Sequence, residues 1–122
     1  MNLTTELLRR LREICDKSDE ERGGYITKDL VVYEVDNVHS DKDNNFMFSC
    51  EDLEKLENEE VIATFHTHPK KTSNLSKEDY DAFVNWEKLL HVIIGQDKIS
   101  CYKVSERGTV VIEPITEIEN VC

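Results

Sequence analysis

The amino-acid sequence predicts an α/β fold in which a mixed, curved β-sheet carries a helix on either side. Three observations lead there. Leu3, Leu7, Leu8, Leu11, Ile14 and Cys15 form one apolar stripe at helical spacing. Apolar runs rich in β-branched and aromatic residues recur at Val61–Phe65, His91–Ile94 and Ile99–Val104, each short enough for a buried strand. Between the first two runs, Tyr80, Phe83, Val84, Glu87 and Leu90 restore a helical period after Ser76. Strands alternating with helices are the pattern of a layered α/β domain.

The elements follow in order. Residues 3–17 form a first amphipathic helix, and 18–24, with two glycines, break it. Gly24–Thr27, a Lys28-Asp29 turn and Leu30–Val35 read as a hairpin. A polar loop, 37–45, leads to a brief strand at Phe46–Phe48, and a short helix, 51–58, carries Leu53 and Leu56. A strand over 60–67, a Pro-led loop over 69–75 and a helix over 76–88 come next. Strands Leu90–Ile94 and Ile99–Val104 flank a turn at Gly95–Lys98, and Thr109–Glu113 follows the Arg107-Gly108 turn. Residues 1–113 are one domain, and 114–122 are an acidic tail, partly ordered at best.

Composition narrows the function. A chain of 122 residues holds a single core, and 39% hydrophobic against 34% charged residues predict a thin one under a charged surface. A net charge of −11 repels a phosphate backbone and disfavours nucleic-acid partners. No apolar run approaches a membrane span. Cys15, Cys50, Cys101 and Cys122 show no C-x-x-C pairing, and no signal peptide precedes them, which predicts a reducing cytoplasm with Cys15 and Cys101 buried. Cys122 is the last residue and cannot open a prenylation box. Lys70, Lys71 and Lys77 are the one locally basic spot: a solvated loop, or a lure for an acidic stretch of substrate.

The chemistry concentrates at Phe65-His66-Thr67-His68-Pro69, with Ser76 and Asp79 downstream. On a strand, residues two apart share a face, so His66 and His68 can close on one ion. Catalytic zinc takes three protein ligands and keeps a fourth position open, and Asp79, in the first turn of the following helix, can complete such a set. Glu21, upstream, supplies a carboxylate to take a proton from water and pass it to a leaving amine, with Glu20 the one-residue-slipped alternative. Taken singly, Ser76-x-x-Asp79 is an ordinary capping box and His-x-His an ordinary pair of histidines; the conjunction carries the weight. His39 and His91 have no partner at ligand spacing and read as surface or structural residues, and Tyr80 and Trp86 as core.

These residues resemble the JAMM (MPN-plus) metalloprotease motif of the Mov34/MPN/PAD-1 family: His-Thr-His, seven residues, then Ser-x-x-Asp, with a Glu three residues before a glycine that opens a strand. Asn37, the 41–45 loop, Phe46-Met47-Phe48 and Val92-Ile93-Ile94-Gly95 follow the order of small prokaryotic and phage members. The resemblance implies an MPN, cytidine-deaminase-like three-layer sandwich. It also implies Zn2+ held by His66, His68 and Asp79, with Glu21 as base and Ser76 as oxyanion support. The implied activity is hydrolysis of a peptide or isopeptide bond in a bacterial or phage-infected host cytoplasm. The implied substrate is a protein: a ubiquitin-like conjugate or a phage structural protein. The alternative is a non-catalytic MPN scaffold or assembly module. A DNA-repair-associated relative with a His-x-His-Pro motif fits less well, because no Gly follows Pro69 and the chain is acidic.

Overall fold

Leu7, Leu11, Ile14 and Cys15 give the first helix, α1 (Thr5–Asp16), one buried face. Thr4 caps it, its side chain accepting the Leu7 N–H. The computed structural model describes residues 1–119, so Cys122 lies outside the described residues. The helix begins two residues later than its apolar stripe suggests, because Asn2–Thr4 are extended as β1 and pair in parallel with β8 (Thr116–Ile118). Residues expected in a loosely ordered tail are therefore tied down. The Met1 amino group donates to the Pro114 carbonyl at 2.8 Å, and Ile115 packs on the main core.

The main sheet has six strands in the order β3 (Val32–Val35), β2 (Gly23–Thr27), β4 (Val61–His68), β5 (Leu90–Gly95), β6 (Ile99–Val104), β7 (Val110–Glu113). Only β4 and β5 run parallel, which makes the sheet mixed and demands a crossover between them. That crossover contains α3 (Lys77–Phe83) and a 3-10 turn at Val84–Trp86.

Strand alternation divides the sheet into two faces. Ala63 and Phe65 of β4 join Ile26, Val92, Ile94 and Cys101 under α1, in a core that excludes water. Thr64, His66 and His68 alternate with them and must face the other way. On that second side Phe83 of α3 packs with Ile93 and Tyr102. A further cluster, Leu56, Val61 and Leu89, joins Leu53 of α2 (Cys50–Lys55) to Trp86.

Three further segments differ from the sequence-based expectation. Phe46–Phe48 is not a strand: the Asn37 side chain takes the Met47 N–H and the two phenyl rings pack edge to face at 4.9 Å, so the segment folds on itself. The helix expected over 51–58 spans Cys50–Lys55, capped by Ser49 accepting the Asp52 N–H. The helix expected over 76–88 stops at Phe83 and tightens, since the Trp86 carbonyl accepts from both the Leu89 N–H and His91 Nε2. No helix among the described residues is long and apolar enough to cross a membrane.

Register in β2 is held by backbone proximity. A Cβ on Gly24 would fall on the Tyr33 carbonyl oxygen of β3, an atom that cannot rotate away. Gly24→Ala is therefore expected to separate that strand pair and cost upward of about 3 kcal/mol in urea unfolding, comparable to a large core truncation such as Leu11→Ala at about 2–5 kcal/mol.

Candidate metal centre

The β2–β4 register assembles the site. Gly23 lies opposite His66. Just past the end of β2 the pairing continues, with Arg22 N–H donating to Thr67 Oγ1 at 2.8 Å and Thr67 N–H to the Arg22 carbonyl at 2.7 Å. One step further brings Glu21 level with His68, and by parity its side chain points to the face of Gly23, His66 and His68. Glu20, one residue earlier, is exposed and its N–H is turned to Ser18 Oγ. Glu21 is 2% exposed, and its Oε2 lies 4.0 Å from His68 Nε2. The alternation of the strand thus selects Glu21 over its neighbour.

The two imidazoles converge, with His66 Nε2 and His68 Nε2 3.1 Å apart. Asp79 reaches both, Oδ1 at 3.2 Å from His66 Nε2 and Oδ2 at 3.3 Å from His68 Nε2. It is aimed by a reciprocal capping box: Ser76 N–H donates to Asp79 Oδ2, and Asp79 N–H to Ser76 Oγ, each at 3.0 Å. Ser76 is exposed and engaged in that box, so the structure brings it to Asp79 rather than to the imidazoles. Among the described residues, Glu21, His66 and His68 are the one group of three or more metal-type donors lying within 4.8 Å of one another. Asp79 adjoins two members of that group, so four donors surround the convergence point where the sequence suggested three ligands and a separate base.

The donor chemistry fits a borderline divalent ion such as zinc. His68 Nδ1 lies 2.9 Å from the Thr72 carbonyl, which only accepts, so Nδ1 carries a proton, and Nε2, once it gives up the proton it shares with Asp79, can present its lone pair to the centre. That contact depends on a pinned loop. Ser73 N–H donates to Asp97 Oδ1, Ser73 Oγ meets Ser100 Oγ at 2.7 Å, Tyr102 Oη donates to the Ser73 carbonyl, and the Gln96 amide donates to the Pro69 carbonyl. These supporting residues escaped the sequence reading, because their spacing from the histidines carries no local period. Lys70, Lys71 and Lys77 are all exposed.

Electrostatics separates the two acids. Burial works against ionising Asp79, but hydrogen bonds from both histidines and the Ser76 backbone outweigh it and hold its carboxyl well below the usual range. For Glu21 burial wins over the attraction of His66 and His68, and its carboxyl is raised. Burial pulls His68 down, yet the hydrogen bonds to Asp79 and Thr72 and the nearby carboxylates carry its imidazole above its ordinary value.

The ring of His66 is set by its neighbours. Phe46 lies nearly parallel to it at 6.2 Å, and Phe83 is tilted against it at 6.1 Å. Phe46 reaches that position because Gly23 has no side chain: a Cβ there would meet the Phe46 ring at 2.6 Å. His91 is 1% exposed and stacks on Phe83 at 4.2 Å. Its Nε2–H donates to the Trp86 carbonyl, leaving Nδ1 to accept from the Thr64 hydroxyl at 2.7 Å. His39 is tied to the same side of the molecule, its Nε2 lying 3.0 Å from Glu78 Oε1.

Neither a protein-family model nor a curated protein matches the chain. Among solved structures, the solution structure of protein DSY2949 from Desulfitobacterium hafniense, a structural-genomics target, superposes with a TM-score of 0.71 at 19% identity, covering 98% of this chain and 94% of that one. A likeness at that identity bears on the fold alone. It agrees with a mixed α/β domain.

Two outcomes follow. Zinc should bind one per chain, with an affinity that falls as pH drops through the raised value of His68, since ligands must shed protons to coordinate. Asp79→Asn should weaken binding more than about 100-fold by competition titration with a chelator, beyond the cost of losing a supporting partner. Separately, burial holds His91 down to about 4. The unfolded chain therefore takes up a proton between about pH 6.5 and 4 that the folded chain refuses, so this contribution is present above 6.5 and lost as pH falls. In urea unfolding of the metal-free protein, stability should fall across that window by on the order of 3 kcal/mol more in the native chain than in His91→Gln.

Proposed function

We propose that this chain is a zinc-dependent metallopeptidase or isopeptidase of the JAMM type, on an MPN-like three-layer sandwich, that hydrolyses an amide bond in a protein substrate. The observation that carries the reading is the meeting of two imidazole nitrogens with a buried and a half-buried carboxylate, shifted in opposite directions, at one end of β4. In this reading His66, His68 and Asp79 hold the ion and Glu21 is the base. Zinc in that setting supplies Lewis acidity and makes water acidic enough to yield a nucleophile near neutral pH.

The chain's own groups divide the remaining work. Asp79, kept ionised, offsets the ion's charge and holds both imidazoles to it. Glu21, buried beside His68 with its carboxyl raised by burial, is placed to accept a proton from water and return it to the departing amine. Ser76 Oγ accepts from Asp79 N–H, which leaves its hydroxyl hydrogen available to a developing oxyanion. A ubiquitin-like conjugate or a phage structural protein is the substrate class that the motif's resemblance implies.

Glu21→Gln separates the role of base from that of ligand. The variant should keep stoichiometric zinc while turnover on linear and isopeptide-linked ubiquitin-like substrates falls by about 10²-fold or more. Retained turnover removes Glu21 from the reaction. Absence of turnover by the native protein on every such substrate returns the chain to the assembly-module reading.

A further inference from the structure

A cavity of about 270 Å³ opens beside the metal centre, with His66 and Asp79 in its wall. Its remaining surface is mainly apolar: Phe46, Met47, Phe48 and Leu53 on one side, Ala82 and Trp86 on the other. The volume falls just under the ~300–1,000 Å³ of sites that enclose a whole small molecule, which suits one side chain of a larger substrate.

Most polar groups in the wall already have partners, and Asn85, at the exposed mouth, donates to the Asp81 carbonyl. Thr64 and His91 are joined at 2.7 Å, and His91 Nε2 is spent on the Trp86 carbonyl. Glu78 is held by His39 at 3.0 Å, and the Asn45 amide, turned so that its nitrogen faces the acid, donates to it at 2.6 Å. A polar side chain entering here would give up its water and find few free partners, while an apolar one would lose nothing. The cavity therefore discriminates by what it lacks.

Position relative to Glu21 orients the substrate. The cavity wall includes His66 but neither Glu21 nor His68. If Glu21 returns the proton to the leaving amine, the amine half of the substrate lies by Glu21 and the acyl half lies toward His66. Resting on the peptidase reading, we propose that this cavity binds an apolar side chain, of leucine, methionine or phenylalanine size, in the acyl portion of the substrate next to the bond that is cut.

Two readouts test this, one of them independent of catalysis. In the first, N-acetyl-leucine amide and N-acetyl-glycine amide are titrated into the metal-free protein and followed by heteronuclear NMR. The leucine amide should bind at least about tenfold more tightly, and shift resonances of residues 46–53 and 82–86. Ala82→Phe, at an exposed helix position, fills the cavity, and Met47→Asp puts a carboxylate at its rim. Both should abolish the difference while keeping the native circular-dichroism melt, and two variants guard against one failing to fold. Equal binding of the two amides, or shifts confined to another surface, overturns the proposal.

In the second, kcat/KM is measured for peptides carrying leucine, aspartate or glycine on either side of the cleaved bond. A preference for leucine on the acyl side, erased in Ala82→Phe, supports the assignment; a preference on the amine side, or none, overturns it. Leucine-amide binding at the cavity with no cleavage of any peptide sinks the peptidase reading and leaves the cavity's ligand class supported.

Discussion

The antiparallel register between β2 and β4 is the constraint on which the site depends. Because strand side chains alternate, a slip of one residue would turn Glu21 into the opposite face and bring exposed Glu20 level with the histidines' face instead. Several contacts oppose that slip. Ile26 is fully buried in the main core and Arg22 and Thr67 exchange hydrogen bonds, while Gly24 binds β2 to β3 by admitting the Tyr33 carbonyl, so that β2 could slip only with its other neighbour. The same alternation sends Ala63 and Phe65 into the core under α1 and leaves His66 and His68 facing the crossover. Core formation and site formation are thus one event: the apolar half of β4 anchors the strand, and the polar half is presented as a result.

Two carboxylates and two imidazoles gathered out of water are expensive to hold, and apolar residues would pack the same space at lower cost. The arrangement of Asp79 offsets part of this. A helix start supplies it with the Ser76 N–H, and both histidines approach it, so its charge is balanced locally. Glu21 is more deeply buried and, of the two histidines, only His68 approaches it to 4.0 Å, so burial raises its carboxyl. A divalent cation at the convergence point would repair the imbalance by replacing protons shared among the four groups, which is why a bound ion should stabilise the fold as well as serve chemistry.

Much of this was legible in the residues. The strands β4, β5 and β6 and the helix α1 obey their periods, and His66 and His68 are recognisable because a period of two puts them on one face. Asp79 was legible through its capping serine, whose geometry is local. Other features depended on distant partners. β1 and β8 are three residues each and pair across more than a hundred residues of chain, with no pattern that either could show alone. Phe46-Met47-Phe48 is a short apolar run like a buried strand, yet Asn37 and the glycine at 23 turn it into the wall of a cavity. The helix after Ser76 keeps its apolar period past Phe83, but a buried histidine on the next strand draws the Trp86 carbonyl away from helical pairing. The roles of ligand and base came from the resemblance, and the geometry adds that Glu21 stands close enough to join the donors.

In the proposed centre one ion is gripped by both imidazoles of β4 and the aspartate of the following helix. X-ray absorption at the zinc K-edge on the loaded protein measures this directly. The expected spectrum has a first shell of nitrogen and oxygen only, at about 2.0–2.2 Å, with the multiple-scattering signature of two imidazoles. A sulfur shell at about 2.3 Å, or an unchanged spectrum after His66→Ala and His68→Ala together, would contradict it.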